Sequence, residues 1–198
     1  MYFLALRFGL AALCMLVLFG PAFRRAGRRA VTSGLLGGAF AGVFLWSGYV
    51  LQTFGLKYTT AGKSGFITGL YIVLVPLIGA VLYRRAPRIQ ELLGILIATA
   101  GLTLLAIPSL QFRVNRGDVL TLGCAVAFAF HLFVLGYYSQ RETFEAVALG
   151  QIAAAALLSG LSLAMEPPRV HWSAGILLAV ILTGVFATAL AFAVQTWA

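Results

Sequence analysis

Charged residues are scarce in this chain, and acidic residues are the scarcest. Of 198 residues only five are Asp or Glu, and 10% are charged in all, whereas 62% are hydrophobic. A typical soluble domain carries about 25% charged residues. The chain has too little charge to cover a surface in contact with water, so the composition predicts an all-α membrane protein, a polytopic bundle of hydrophobic helices.

Cysteine is also rare, with only Cys14 and Cys124 in the chain. Each lies inside an apolar run, and neither belongs to a CxxC pair or to a cluster with metal-ligand spacing. The sequence also has no HExxH motif and no visible nucleophile–base pair for intramembrane catalysis. We therefore predict no metal site, no cofactor and no enzymatic activity, and an embedded enzyme ranks third among the interpretations.

Long apolar runs, separated by short polar breaks, occupy most of the chain. A helix that spans a bilayer needs about 20 mainly apolar residues, and seven such runs are present. The predicted spans one to seven are Tyr2–Phe19, Ser33–Leu56, Gly62–Tyr83, Gln90–Pro108, Asp118–Tyr138, Glu145–Ala164 and Ala174–Ala198. Asp118 and Glu145 stand at helix starts, where a carboxylate favours the positive end of the helix dipole.

The basic residues stand in short clusters between the apolar runs. A nucleic-acid reader needs a basic face on a soluble fold, so the net charge of +9 does not predict a nucleic-acid partner. The loops after spans one, three and five carry eight basic residues, against five in the loops after spans two, four and six. Because basic loops stay on the cytoplasmic side, Arg24–Arg29, Arg84–Arg88 and Arg141 are predicted to face the cytoplasm.

Two pairs of segments indicate an internal repeat. Residues 49–54 (YVLQTF) resemble residues 192–197 (FAVQTW), and residues 7–13 line up loosely with residues 151–157. The two offsets, 143 and 144 residues, nearly agree. Each pair lies five spans apart, so the two copies would cross the membrane in opposite directions. Inverted repeats are typical of secondary transporters, whose substrate site lies between the copies.

A family resemblance begins in the loop after span two. The stretch Gly55–Tyr71 (GLKYTTAGKSGFITGLY), with Val75-Pro76-Leu77 and Arg84-Arg85-Ala86-Pro87 after it, resembles the first repeat of an EamA-type transporter. Three further segments extend the resemblance over essentially the whole chain: Arg7-Phe8, Gly117-Asp118 and Gly184–Ala189.

The resemblance implies a member of the drug/metabolite transporter superfamily, a multi-pass protein of the bacterial inner (plasma) membrane. Such proteins resemble two inverted five-helix repeats. Residues 1–108 would then be a first repeat without its first helix, and residues 118–198 a second repeat without its last two. The implied function is secondary transport of a small organic metabolite or drug by alternating access, with the lipid bilayer as the second partner. With three helices missing, the chain alone is expected to be inactive and poorly stable. The alternative function is a non-transporting membrane scaffold or regulator.

Polar and aromatic residues inside the spans are candidates for substrate contact, because polar groups in hydrocarbon tend to face the bundle interior or a cavity. The predicted substrate-binding residues are Trp46, Tyr49, Gln52, Thr68, Tyr71, His131 and Gln195. For the aromatic residues the alternative is packing, and for the polar residues it is hydrogen bonding between helices. His131 also has proton coupling as a functional alternative.

Two helical faces collect several of these residues. Span three carries Ser64, Thr68 and Tyr71 on one face, and span five carries Thr121, Cys124, Phe128 and His131 on one face. These faces are predicted to line a largely apolar pocket with a few hydrogen-bonding groups, which suits small organic molecules.

Three other residues receive predicted roles, and Gln52 and Gln195 receive a second one. Arg7 and Lys63 are expected to extend into the membrane interface, and attraction of an anionic substrate is the alternative. Pro76 breaks a backbone hydrogen bond in span three and is the predicted hinge, with a static kink as the alternative. The repeat pairs Gln52 with Gln195, which would close opposite mouths of a cavity or merely bond neighbouring helices.

Gly38–Gly42 and Gly65–Gly69 both have the GxxxG spacing, which lets helix backbones approach closely. Close packing within one bundle is the predicted role of both motifs, and a homodimer is the alternative.

Overall fold

The computed structural model describes residues 1–84, 88–106, 114–165 and 173–197. Its α-helices are α1 (Tyr2–Arg25), α2 (Arg28–Gly55), α3 (Ala61–Gly69), α4 (Tyr71–Tyr83), α5 (Ile89–Ala106), α6 (Arg116–Ser139), α7 (Phe144–Ser162), α8 (Ala174–Gly184) and α9 (Ala191–Trp197). A 3₁₀ turn, Leu163–Met165, follows α7, and a π-helical segment, Val185–Leu190, joins α8 to α9. These ranges contain no strand, which confirms the predicted all-α fold.

Within the described residues, six helical segments are long and apolar enough to cross a membrane. They are Tyr2–Arg25, Arg28–Gly55, Ala61–Leu82, Arg116–Ser139, Phe144–Ser162 and Ala174–Trp197. A seventh apolar stretch, Ile89–Gly101, is shorter. The six segments coincide with predicted spans one, two, three, five, six and seven, and they make the chain a multi-pass membrane protein.

The predicted boundary between spans one and two is wrong. Helix α1 continues through Pro21 to Arg25, because proline removes only one backbone hydrogen bond and the rest of this apolar helix stays intact. Arg28 and Arg29 form the first turn of α2 rather than part of a loop. The connection between the two helices is therefore very short.

Span three is interrupted, and the interruption is not at Pro76. Helix α3 ends at Gly69 and α4 begins at Tyr71, so the break falls at Leu70. The Leu70 N–H donates to the Ile67 carbonyl at 3.2 Å, which is the tighter 3₁₀ pattern. Pro76 lies inside α4, and its role as a hinge stays a prediction.

The remaining predicted boundaries agree with the structure wherever residues are described. Spans five and six match α6 and α7 to within two residues at each end. Several sequence predictions fall outside the described residues: the end of span four at Pro108, the end of span seven at Ala198, and the loop residues Arg85, Arg113 and Arg169.

The chain divides into two compact units. Unit 1 holds Met1–Trp46 and Val134–Ala198, and unit 2 holds Ser47–Phe133. Both boundaries fall inside long helices, α2 and α6. This division follows spatial contact, whereas the predicted repeats follow sequence similarity, so the repeats 1–108 and 118–198 stay a prediction.

Unit 1 is built on α1 and α7, which pack against each other. Their fully buried apolar side chains form the core: Phe8, Ala11, Met15, Val147, Ile152 and Ala155. Helix α8 and the π-helical segment also contact α1, and α9 contacts α7. In unit 2, α5 contacts both α3 and α4.

Small residues let α2 lie directly against α7 in unit 1. A Cβ atom added at Gly38 would overlap the carbonyl oxygen of Val147, and one added at Gly42 would overlap that of Gln151. This contact confirms close packing as the role of Gly38–Gly42. A Cβ added at Gly65 would meet nothing within 4 Å, so the second GxxxG motif has no such contact at its first glycine.

Candidate functional site

The two predicted polar faces, of spans three and five, meet inside unit 2. Ser64 Oγ lies 3.4 Å from Thr121 Oγ1, and Thr68 Oγ1 lies 3.9 Å from the Cys124 sulfur. All four side chains are buried. Helical periodicity thus identified each face correctly, and the fold places one opposite the other.

Four of the predicted substrate-binding residues gather in unit 2. The Gln52 amide donates to Thr68 Oγ1 at 3.0 Å. The rings of Tyr49 and Tyr71 both pack edge-on against Phe128, at centroid distances of 5.3 and 6.3 Å. We call these five residues the aromatic–amide cluster. The bond from Gln52 to Thr68 is the interhelical hydrogen bond expected as the alternative, and substrate contact by the cluster stays a prediction.

His131 lies in α6, one helical turn beyond Phe128. Only 2% of its surface is exposed. Across the described residues, no three His, Cys, Asp or Glu side chains come together in a group that could hold a metal ion. Substrate contact and proton coupling by His131 both stay predictions.

An ion pair that the sequence analysis missed joins the starts of α3 and α6 in unit 2. Lys63 Nζ lies 2.6 Å from Asp118 Oδ2, and the two residues are only 7% and 5% exposed. The Thr59 hydroxyl donates to Asp118 Oδ1 at 2.7 Å, and the Asn115 backbone N–H donates to Oδ2 at 2.8 Å. The prediction that Lys63 extends into the membrane interface is wrong, because a carboxylate neutralises its ammonium group inside the protein.

The helix ends explain why this pair forms. Lys63 lies in the first turn of α3, where its backbone N–H donates to the Thr60 hydroxyl at 3.3 Å. A cation is unfavourable at the positive end of a helix dipole, so a buried lysine there needs a nearby anion. Asp118 stands in the first turn of α6, as predicted, and supplies that anion. The one sequence feature that points to this ion pair is that two predicted spans begin with residues of opposite charge.

Arg7 is held inside unit 1 by the π-helical segment. Its Nε–H donates to Thr188 Oγ1 at 2.6 Å. The hydroxyl of Thr188, which is fully buried, donates in turn to the Thr183 carbonyl at 2.8 Å. Arg7 is half-buried, so its extension into the interface and its attraction of an anionic substrate both stay predictions. Short π-helical segments occur frequently at functional sites.

The glutamine that is buried in unit 1 is Gln151, and the predicted substrate-binding residue Gln195 is not buried. Gln151 is completely buried, and its side-chain N–H donates to Thr196 Oγ1 at 2.9 Å. Gln195, the residue before Thr196, is exposed. The environments of Gln52 and Gln195 therefore differ, although the repeat pairs them, and the gating role of both stays a prediction.

Three buried polar atoms in unit 1 have no hydrogen-bond partner among the described residues: Trp46 Nε1, Thr143 Oγ1 and Ser159 Oγ. A buried polar group left unpaired costs about 1–3 kcal/mol. Such groups are suited to form a hydrogen bond with a bound molecule. Trp46 was predicted from its aromatic ring, whereas no sequence pattern singles out Ser159, because a serine in an apolar helix usually bonds its own backbone.

Known proteins share the sequence and the fold of this chain. The EamA-like transporter family matches residues 1–107, more than half of the chain. The chain belongs to this family. A relative from Archaeoglobus fulgidus, described as an uncharacterized transporter, is 32% identical to the EamA-like chain over 156 residues, which make up 79% of the chain and 50% of the relative. The EamA-like chain thus spans about half the length of this curated relative.

The fold also occurs in a known crystal structure. That structure matches the EamA-like chain with a TM-score of 0.76, over 98% of the chain and 68% of its own length. The two sequences are 21% identical, so the match concerns the fold alone. The family match confirms the resemblance that residues 55–71 had indicated.

Proposed function

We propose that this chain acts as a secondary transporter that moves a small organic metabolite or drug across the bacterial inner membrane by alternating access. Membership of the EamA-like transporter family supports transport. Six helical segments with the length and composition of membrane spans support the location in a membrane.

The observation that carries the proposal is the aromatic–amide cluster of unit 2. Polar groups are expensive inside a membrane and tend to mark substrate pathways. The bond from Gln52 to Thr68 uses one amide N–H, and an amide has a second N–H and a carbonyl oxygen to offer. The rings of Tyr49, Tyr71 and Phe128 supply apolar surface beside it. A mainly apolar site with a few hydrogen-bonding groups suits small organic molecules.

The proposal gives the other predicted residues supporting roles. Trp46 would donate its unpaired indole N–H to the substrate. His131 would contact the substrate or carry a coupled proton, and Gln195 would act at the opposite mouth of the pathway. Pro76 would let α4 bend as access alternates, since it lacks one backbone hydrogen bond.

Transport by purified protein in liposomes tests the proposal. Uptake of labelled amino acids, nucleosides, organic acids and drugs should show at least one compound that accumulates. Thr68→Val should reduce that uptake by about tenfold, because it removes the hydrogen bond that positions the Gln52 amide, and such a bond is worth roughly 1–1.5 kcal/mol. Thr103→Val is the matched control, because the Thr103 hydroxyl donates to the Thr99 carbonyl of its own helix at 2.8 Å.

If the chain is a non-transporting scaffold, no compound should accumulate in the liposomes. If folded protein accumulates none of the compounds, or if Thr68→Val and Thr103→Val have equal effects, the cluster is not a transport site.

A further inference from the structure

The first turns of α2 carry an open basic cleft. It has a volume of about 570 Å³ and is lined by Arg28, Arg29, Thr32, Ser33 and Leu36. Both arginines are exposed. Neither forms an ion pair with a carboxylate in the part of the chain that the structure describes. Two adjacent cations without a counter-charge suit an anion from outside the chain.

The start of helix α2 favours an anion as well. The first N–H groups of a helix lack partners within the helix and give its start a partial positive charge, and the cleft lies at that end of α2. The nearby carboxylate of Glu142 accepts a hydrogen bond from Ser33 Oγ at 2.6 Å. Among the described residues this carboxylate forms no ion pair with Arg28 or Arg29.

The cleft continues into an exposed apolar stripe on the same face of α2. Leu36, Phe40 and Val43 are 67%, 51% and 45% exposed. Their spacing from Arg29 and from one another follows the helical period. From Arg29 to Val43 the face extends about 21 Å at about 1.5 Å per residue, which exceeds half of the ~30 Å hydrocarbon core of a bilayer.

We propose that this face of α2 binds an anionic phospholipid. The lipid phosphate lies in the cleft against Arg28 and Arg29, and one acyl chain lies along Leu36, Phe40 and Val43. Arginine suits phosphate because its planar N–H groups bond two oxygens at once, and basic pockets beside membrane helices hold anionic head groups. A soluble phosphate would satisfy the arginines alone, whereas a phospholipid also covers the apolar stripe. The proposal rests on the membrane location of α2 and does not require transport.

Native mass spectrometry of the purified chain in detergent tests the lipid site. Dioleoyl-phosphatidylglycerol should remain bound, whereas dioleoyl-phosphatidylcholine, with the same acyl chains, should bind at least several-fold more weakly. The double variant Arg28→Gln/Arg29→Gln should weaken phosphatidylglycerol binding by roughly 10- to 30-fold, at about 1 kcal/mol for each basic residue. The variant Arg28→Lys/Arg29→Lys keeps both charges but loses the paired N–H groups, so its binding should lie between those of the original chain and the glutamine variant.

The matched control is Arg24→Gln/Arg25→Gln. It removes the same two charges from the exposed last turn of α1, outside the cleft, and should change binding by less than about threefold. Equal losses in the two glutamine variants would show that general basic charge attracts the lipid and would overturn the site. Complete displacement of phosphatidylglycerol by millimolar inorganic phosphate, or equal binding of the two lipids, would overturn the assignment to a phospholipid.

Discussion

At the scale of single residues, the Lys63–Asp118 pair shows how burial couples two charges. Each residue is more than 90% buried, so neither charge is compensated by water. Removing one partner of a buried pair leaves the other uncompensated, whereas replacing both by apolar groups often costs little. The pair therefore stabilises the fold only as a unit.

We expect Lys63→Met to lower the free energy of unfolding by about 3–5 kcal/mol. The double variant Lys63→Met/Asp118→Leu should recover most of that loss. Unfolding in mixed micelles, followed by circular dichroism, gives the values. Lys57→Met is the control, because Lys57 is exposed and its loss should change stability by no more than about 0.5 kcal/mol. Equal stability of the single and the double variant would show that the two charges are not coupled.

The neighbours Thr196 and Gln195 allow a second comparison. Thr196→Val removes the acceptor of the completely buried Gln151 amide, so we expect a loss of about 1 kcal/mol of unfolding free energy. Gln195→Leu changes an exposed side chain and should be nearly neutral. The same micelle assay measures both. A neutral Thr196→Val would mean that the buried amide does not depend on Thr196.

Periodicity and burial explain which residue contacts the sequence could reveal. Ser64 and Thr68 share a helical face, so the polar face of span three was predictable from spacing alone. The partners of Lys63 and Gln151 lie 55 and 45 residues away in the chain. Contacts at such separations depend on how helices pack, and local sequence patterns do not encode packing.

At the scale of helices, close approach depends on residues without a side chain. We expect Gly38→Ala to destabilise the fold by about 1–3 kcal/mol, because the added methyl group would meet the backbone of α7. Gly20→Ala in α1 is the matched control. A Cβ there would meet nothing within 4 Å, and alanine should stabilise the helix by up to about 1 kcal/mol.

Thermal unfolding of both alanine variants in detergent measures this contrast. A neutral Gly38→Ala would contradict the direct contact between α2 and α7. It would also reopen the homodimer as the explanation of the Gly38–Gly42 motif.

Helix breaks were harder to predict than the helices themselves. Apolar runs predicted each span, because a membrane helix must be apolar over its whole length. Predicted span one ends at Phe19, two residues before Pro21, yet α1 passes through this proline. The actual break at Leu70 directly follows Gly69, a residue type that weakens helices, but Gly69 was predicted to act only in helix packing. Breaks depend on the neighbouring helices, which can satisfy the backbone groups that a break frees.

At the scale of the whole molecule, the number of crossings decides the topology. The described part of α5 contains an apolar stretch, Ile89–Gly101, shorter than the six membrane-length segments. The Lys63–Asp118 pair nevertheless places the start of α3 beside the start of α6. The segment Ala61–Leu82 leads away from Lys63 across the membrane, so the chain must return before Asp118. Helix α5, the helix between them, makes that return crossing.

We therefore expect the α2–α3 and α6–α7 connections to lie on opposite sides of the membrane, since three crossings separate them. Single cysteines at Tyr58 and Gln140, both exposed, report the two sides once Cys14 and Cys124 have been replaced by alanine. An impermeant thiol reagent added to intact bacterial cells should label Tyr58→Cys, because the basic clusters predict a cytoplasmic α6–α7 connection. Gln140→Cys should react only after permeabilisation. The reverse pattern would invert the orientation but keep seven crossings, whereas labelling of both cysteines from the same side would show that α5 does not cross.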